Sequence, residues 1–288
     1  MSELEAAPFG ALAHYVDKWL GVQPHQRVAL VFVDPRRYPG HVALAALEQE
    51  LIGAAYGIRE PQVAAAKLNW WAEELAGASN GIGHHPLTEV LFADEHAARV
   101  DRERWLAPVL AAMAQLEDGT PADFSTQLAA ALPLHGALAA LETAWWYGAE
   151  APTARAGQLA TLAHLLHALR RLEDDAERDR LPLPMAQLAR HGLSRDQLRQ
   201  RSDARGQAVA AQLADLQAAW REAQRLPGPL SVFRALESRQ DEKLVRRALG
   251  AADSLAVLQA GQAEQGLAVT FAAWRAARHW KASAVPTG

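Results

Sequence analysis

Leucine and alanine recur along this chain at three- and four-residue intervals, the period of a helix with one apolar face. Valine and isoleucine are sparse, and strand-type alternation is nearly absent. The one strand-like run, Arg27–Val33, stops at Asp34-Pro35 and reads as a helical or extended lead-in. Breakers then divide the chain. Pro39-Gly40 opens a helix to about Ala55, and Pro61 opens another that ends near Gly77, before a Ser79–Gly83 loop. Asp101 caps a helix stopping at Asp118-Gly119, and Thr120-Pro121 opens a long one to Tyr147 with Pro133 inside it. Thr153 caps a helix through about Glu177, and Leu181-Pro182-Leu183-Pro184 is a rigid break. A polar-faced helix follows Ser194 to Arg225, Pro227-Gly228-Pro229 ends it, and a helical pair covers about 230–280. With short loops and no repeat, the expectation is one all-α domain over 1–288, with 1–39 as its N-terminal lead-in segment.

Composition narrows the chemistry more than the fold. Half of the 288 residues are hydrophobic, enough for a sizeable core. A net charge of -4 argues against nucleic acid as a partner. The absence of cysteine excludes disulfides, thiolate metal sites and thiol nucleophiles, and fits a reducing cytoplasm. Apolar stretches are interrupted well before the ~20 residues a spanning helix needs. The start, MSELEAAPFG, is acidic and has no signal pattern. Peripheral contact with a bilayer stays compatible with the sequence.

The most informative segment runs from His164 to Pro184, HLLHALRRLEDDAERDRLPLP. On a helix, Leu162, Leu166 and Leu169 form an apolar stripe, while His164, Ala168, Arg171 and Asp175 share another face. Read plainly, that face is solvated and carries an Arg171–Asp175 ion pair. The acidic cluster Glu173, Asp174, Asp175 and Glu177 nevertheless opposes the helix macrodipole, so helix stability does not explain it. Carboxylates here could hold a hard cation such as Mg²⁺, and the arginines could grip phosphate.

The segment His167–Pro184 resembles the second aspartate-rich motif of squalene and phytoene synthases, an Asn-x-Leu-Arg-Asp-x-x-Glu-Asp run continuing into Gly-Arg-x-Tyr-Leu-Pro. Leu169, Arg170, Asp175, Arg180, Leu183 and Pro184 match, and Asp174 stands for the Glu. The motif's first Asp is replaced by Arg171, its Asn by His167, its Gly by Asp179 and its Tyr by Pro182. The stretch EPQVAAAKLNWWAEEL, Glu60–Leu75, with His85-Pro86-Leu87, is similar to divergent bacterial members. The first aspartate-rich motif would fall on the 43–57 helix, but its acidic positions hold Ile52, Gly53 and Tyr56, and its arginine position holds Gln49. The neighbouring Glu48 and Glu50 are out of register by one or two residues and read as surface charges.

The resemblance covers about residues 40–250 and implies an all-α isoprenoid-synthase-like bundle around a central apolar cavity. In active members two facing aspartate-rich helices hold Mg²⁺ ions that draw off a diphosphate. By that implication Asp174 and Asp175 are the catalytic carboxylates if the chain is active, with Asp175 the metal ligand. His164, His167, Arg170, Arg171, Arg178 and Arg180 are the ligand-binding residues. Arg171 stands where a metal's second carboxylate belongs and is expected to neutralise Asp175. Two functions follow. One is a non-catalytic member binding an isoprenoid, another lipid or a protein partner, as in family members that assist respiratory-complex assembly. The other is an Mg²⁺-dependent head-to-head prenyl transferase. Elsewhere, His164, His167 and Asp175 imitate a zinc site without a further ligand. His84-His85 decorate a loop, and Trp145-Trp146-Tyr147 could line an apolar cavity but read first as core packing. Arg234, Glu237, Arg239, Asp241, Glu242, Arg246 and Arg247 form an exposed, salt-bridged helix face.

Overall fold

The computed structural model describes residues 7–116, 119–178, 180–261 and 266–283; Asp118 and Asp179 lie outside them. The N-terminal helices are α1 (Ala7–Val22), α2 (Gln26–Ala29), α3 (Pro39–Tyr56), α4 (Pro61–Ala78) and α5 (Pro86–Ala93). The middle ones are α6 (Arg102–Gln115), α7 (Phe124–Tyr147), α8 (Ala154–Arg170), α9 (Leu172–Glu177) and α10 (Met185–Arg190). The chain closes with α11 (Asp203–Arg225), α12 (Val232–Leu249), α13 (Ser254–Ala260) and α14 (Leu267–Ser283). No strand occurs among the described residues. Proline opens α3, α4 and α5, where its missing N–H would lack a partner anyway. Side chains of Asp101, Asp123, Ser202, Ser231 and Asp253 cap α6, α7, α11, α12 and α13 by accepting a backbone N–H.

Four boundaries differ from the sequence expectation, each for a local reason. The Asp123–Thr126 capping box moves the start of α7 to Phe124. The 153–177 helix breaks at Arg171, whose φ of -97° and ψ of 20° leave the helical region and set α9 apart. Ser202 delays α11 to Asp203, after a 3₁₀ turn at Asp196–Arg199. The final pair is three helices, because Asp253 starts α13 and Gly261 ends it at a φ of 68°.

Two apolar clusters hold the bundle. One joins α1 and α3–α7 to α12 and α14, through Trp19, Leu51, Trp71, Trp105 and Trp145. The other joins α8, α9 and α11–α13, through Leu162, Leu166, Leu213 and Trp220. Residues 7–39 are part of this packing, since Leu12, Trp19 and Ala29 are buried. α7 packs against α6 and α8. It is the one described helix long and apolar enough to cross a membrane, yet it buries Gln127, His135 and Glu142 inside the protein.

The Glu60–Leu87 stretch is a latch. Glu74 of α4 accepts from the backbone N–H of His84 (2.8 Å) and His85 (2.9 Å) and from the Thr88 hydroxyl. Burial pushes the Glu74 pKa upward, but these hydrogen bonds outweigh it and hold the carboxyl below its ordinary range. His85 therefore does more than decorate a loop. Its Nδ1 caps α5, and its ring packs 4.8 Å from that of Trp71. The latch fixes α4 and α5 beside α3, one wall of the cavity.

Candidate functional site

A cavity of about 820 Å³ runs between the two apolar clusters, with walls from α1, α3, α7, α8, α9 and α12. Along α3, Glu48, Ile52 and Tyr56 face it at four-residue steps, as one helical stripe must. Across from them, His164, Ala168, Arg171 and Asp175 line the opposite wall. The face is the one that the helical spacing groups together, but most of it borders a cavity, and its Arg171 end opens to water.

At the rim, Asp175 is buried, and that desolvation raises its pKa against the lowering pull of Arg171, Arg180 and Arg178. The Arg171–Asp175 contact is long, 3.9 Å, and the Arg171 side chain is half exposed, so it is a weak pair. Asp174 lines the cavity from its exposed edge. Arg170 also lines it, but its Nε donates to the Leu258 carbonyl at 3.1 Å, tying α8 to α13. Arg178 is exposed and lies outside the wall; it reaches Asp175 only through its charge. Arg180 crosses the cavity mouth, donating to the carbonyls of Tyr56 and, at 2.8 Å, Ile58. One guanidinium thus ties the segment after α9 to the end of α3.

Deeper in, Tyr56, His164 and His135 form a ring stack, with centroids 4.2 Å apart for Tyr56–His164 and 4.3 Å for His135–His164. Burial lowers the pKa of His164 to about 3 and of His167 to about 4, and drives His135 well down as well. All three rings are neutral near pH 7 and offer an anion no positive charge.

Sequence reasoning missed the strongest electrostatic feature. Arg234 of α12 is enclosed by three carboxylates, with 3.0 Å contacts to Glu48, Glu142 and Glu237. Ser231 donates to Glu142, and Gln23 donates to Glu237 at 2.9 Å. Burial works against the Arg234 charge, but the glutamates outweigh it and raise its pKa. For Glu48, burial and the nearby Glu142 together push the carboxyl well above its ordinary range. Two expectations are overturned here. Glu48 is buried inside the protein, and Glu50, also buried, pairs with Lys18. Arg234, Glu237 and Asp241 are likewise enclosed; of the expected exposed face, Arg239, Arg247 and the Arg246–Glu242 pair remain solvent-accessible. A signal was present: Glu237 and Asp241 fall within the apolar stripe of Phe233, Leu236, Leu244 and Ala248. Trp145 and Trp146 are core, as expected.

The sequence pattern of the squalene/phytoene synthase family matches residues 25–237. The chain belongs to the squalene/phytoene synthase family. The fold agrees. A crystal structure of a dehydrosqualene synthase in complex with ligand superposes with a TM-score of 0.66 at 11% identity, covering 96% of this chain and 97% of that one. Squalene synthase HpnC from Alicyclobacillus acidocaldarius superposes with a TM-score of 0.58 at 18% identity, covering 88% and 96%. No sequence match is found among curated proteins.

Family members normally depend on Mg²⁺, but the walls of this squalene/phytoene synthase cavity do not fit a metal site. Mg²⁺ needs several hard oxygen ligands in octahedral array. Opposite Asp174 and Asp175, α3 presents Ile52 and Tyr56, and Arg171 and Arg180 bring fixed positive charge to the gap. Glu48, Glu142 and Glu237 are already taken up by Arg234. Among the described residues no three His, Asp or Glu side chains gather in a metal-holding group, so His164, His167 and Asp175 do not form one either.

Proposed function

We propose that this chain binds one apolar or amphipathic small molecule, of isoprenoid or similar chemistry, in its family cavity and does not ionise a prenyl diphosphate there. The observation that carries this reading is the make-up of the two walls: Ile52 and Tyr56 line the cavity from α3, Asp175 lines it from α9, and Arg180 fastens one wall to the other. The one carboxylate that α3 brings to the cavity, Glu48, is held by Arg234, so there is no clamp for the metals that neutralise a leaving diphosphate. The cavity volume, about 820 Å³, falls in the range of small-molecule sites. Its buried end carries three glutamates to one arginine, which repels an anionic group and favours an uncharged or cationic polar end.

The test is a product assay with Mg²⁺ and farnesyl or geranylgeranyl diphosphate, beside a titration of tryptophan emission with farnesol and farnesyl diphosphate. We expect no head-to-head product, and farnesol binding at least about tenfold tighter than the diphosphate, a difference of about 1.4 kcal/mol. An Mg²⁺-dependent prenyl product that disappears in Asp175→Ala would establish the transferase reading instead.

A further inference from the structure

α14 is two-faced in a way the cavity does not explain. Its inner face, Val269, Ala273, Ala277 and Trp280, is buried, and the helix packs against α12 and α2. Its outer face carries Leu267, Phe271 and Trp274, which are 91%, 57% and 40% exposed. At 100° per residue these three side chains fall within an arc of about 60°. They form one stripe, with the Phe271 and Trp274 rings in contact at 5.3 Å. Basic residues continue the stripe toward the C-terminal end: Arg275, Arg278 and Lys281 are all exposed. The Arg278 guanidinium lies 5.5 Å from the Trp274 ring centre, and the Lys281 ammonium lies 5.9 Å from that of Tyr38. The helix has no acidic residue, although the whole chain carries a net charge of -4.

We infer that this face of α14 docks on an anionic lipid bilayer, with Leu267, Phe271 and Trp274 entering the headgroup–acyl boundary and Arg275, Arg278 and Lys281 meeting the headgroups. The charge pattern selects this occupant. An apolar stripe alone would suit any apolar partner, but a wholly basic polar flank on an acidic protein is complementary to a negative surface. Tryptophan suits the boundary because its ring is apolar and its N–H polar. A second copy of the chain is the weaker occupant. Three partly exposed side chains offer well under the roughly 800 Å² per partner of a specific protein interface. Behind the docked face, α14 packs on α2, whose Gln26 lines the cavity.

The experiment is flotation of the full chain with vesicles of phosphatidylcholine alone or with about one-third phosphatidylglycerol, at low and high salt, beside sedimentation analysis without lipid. The expected result is binding to the phosphatidylglycerol vesicles that weakens with salt, since screening weakens surface charge attraction. Phe271→Asp should lower that binding at least about tenfold. The pair Arg278→Glu and Lys281→Glu should do the same and remove the salt dependence. These side chains are exposed, and an unchanged melting curve verifies the fold of each variant. Equal flotation of wild type and Phe271→Asp, or no preference for phosphatidylglycerol, overturns the inference. So does a lipid-free dimer that Phe271→Asp dissociates without any vesicle binding, which would assign the face to self-association. Because flotation needs no cavity ligand, its outcome is independent of the proposed function.

Discussion

Arg234 is the residue on which most buried charge depends. Its guanidinium joins α12 to Glu48 on α3 and Glu142 on α7, and it also holds Glu237 one turn along its own helix. Removing one partner of a buried charge group is costlier than the group's net contribution, because the remaining charges lose their compensation. Arg234→Ala would leave three buried glutamates facing one another. We expect a loss of about 3–5 kcal/mol in urea unfolding, on the scale of broken buried pairs. An effect under about 1 kcal/mol would mean that water already screens the group. By contrast, Arg171 is half exposed and 3.9 Å from Asp175, so it does not hold the cavity together.

Among the elements, the α4–α5 latch decides where α3 sits. Glu74 takes three hydrogen bonds across the Ser79–His85 turn, and Trp71 packs on the His85 ring beneath them. Glu74→Ala leaves two backbone N–H groups without their acceptor, while the Thr88 hydroxyl keeps the His85 carbonyl. That change should cost about 2–4 kcal/mol, and hydrogen exchange should speed up at His84 and His85 before the α7 core opens. Uniform exchange across both regions would show that the latch has no stability of its own. The segment was legible in sequence as a family marker, since its Trp pair and His-Pro-Leu are contiguous. Its physical role was not, because the Glu74 hydrogen bonds exist only once the turn has closed.

For the whole molecule, six histidines that the fold desolvates dominate the response to acid. Burial lowers His25 and His167 to about 4, His41 and His164 to about 3, His135 well below its usual value, and His85 below it. The unfolded chain takes up these protons as pH falls through about 6.5, whereas the folded chain refuses most of them until about 4 or lower. Stability therefore falls across that window. Glu48, Asp241 and Asp175, whose pKa values are raised, act oppositely: they favour the fold at low pH and lose that contribution as pH rises through their raised values. Six histidines outnumber three carboxyls, so the melting midpoint should drop between pH 6.5 and 4. Replacing both His135 and His164 by Phe keeps the ring stack and should flatten the drop. An unchanged profile in the double variant would show that these rings titrate normally.

The sequence by itself determined the all-α class, most helix starts and the face shared by His164, Ala168, Arg171 and Asp175. Prolines, caps and three- and four-residue spacings are local, and helix geometry converts them directly into position. It also put Ile52, Gly53 and Tyr56 where the resembled family motif carries its acids, because a motif is read in register along one helix. Only the tertiary structure decided which charged faces are enclosed. Glu48 and Arg234 are 186 residues apart, and Arg180 and Tyr56 are 124 apart. A polar helix face looks the same in sequence whether it meets water, a cavity or another helix's carboxylates. Which of these it meets is fixed by the packing of α3, α7, α8 and α12 around one shared space.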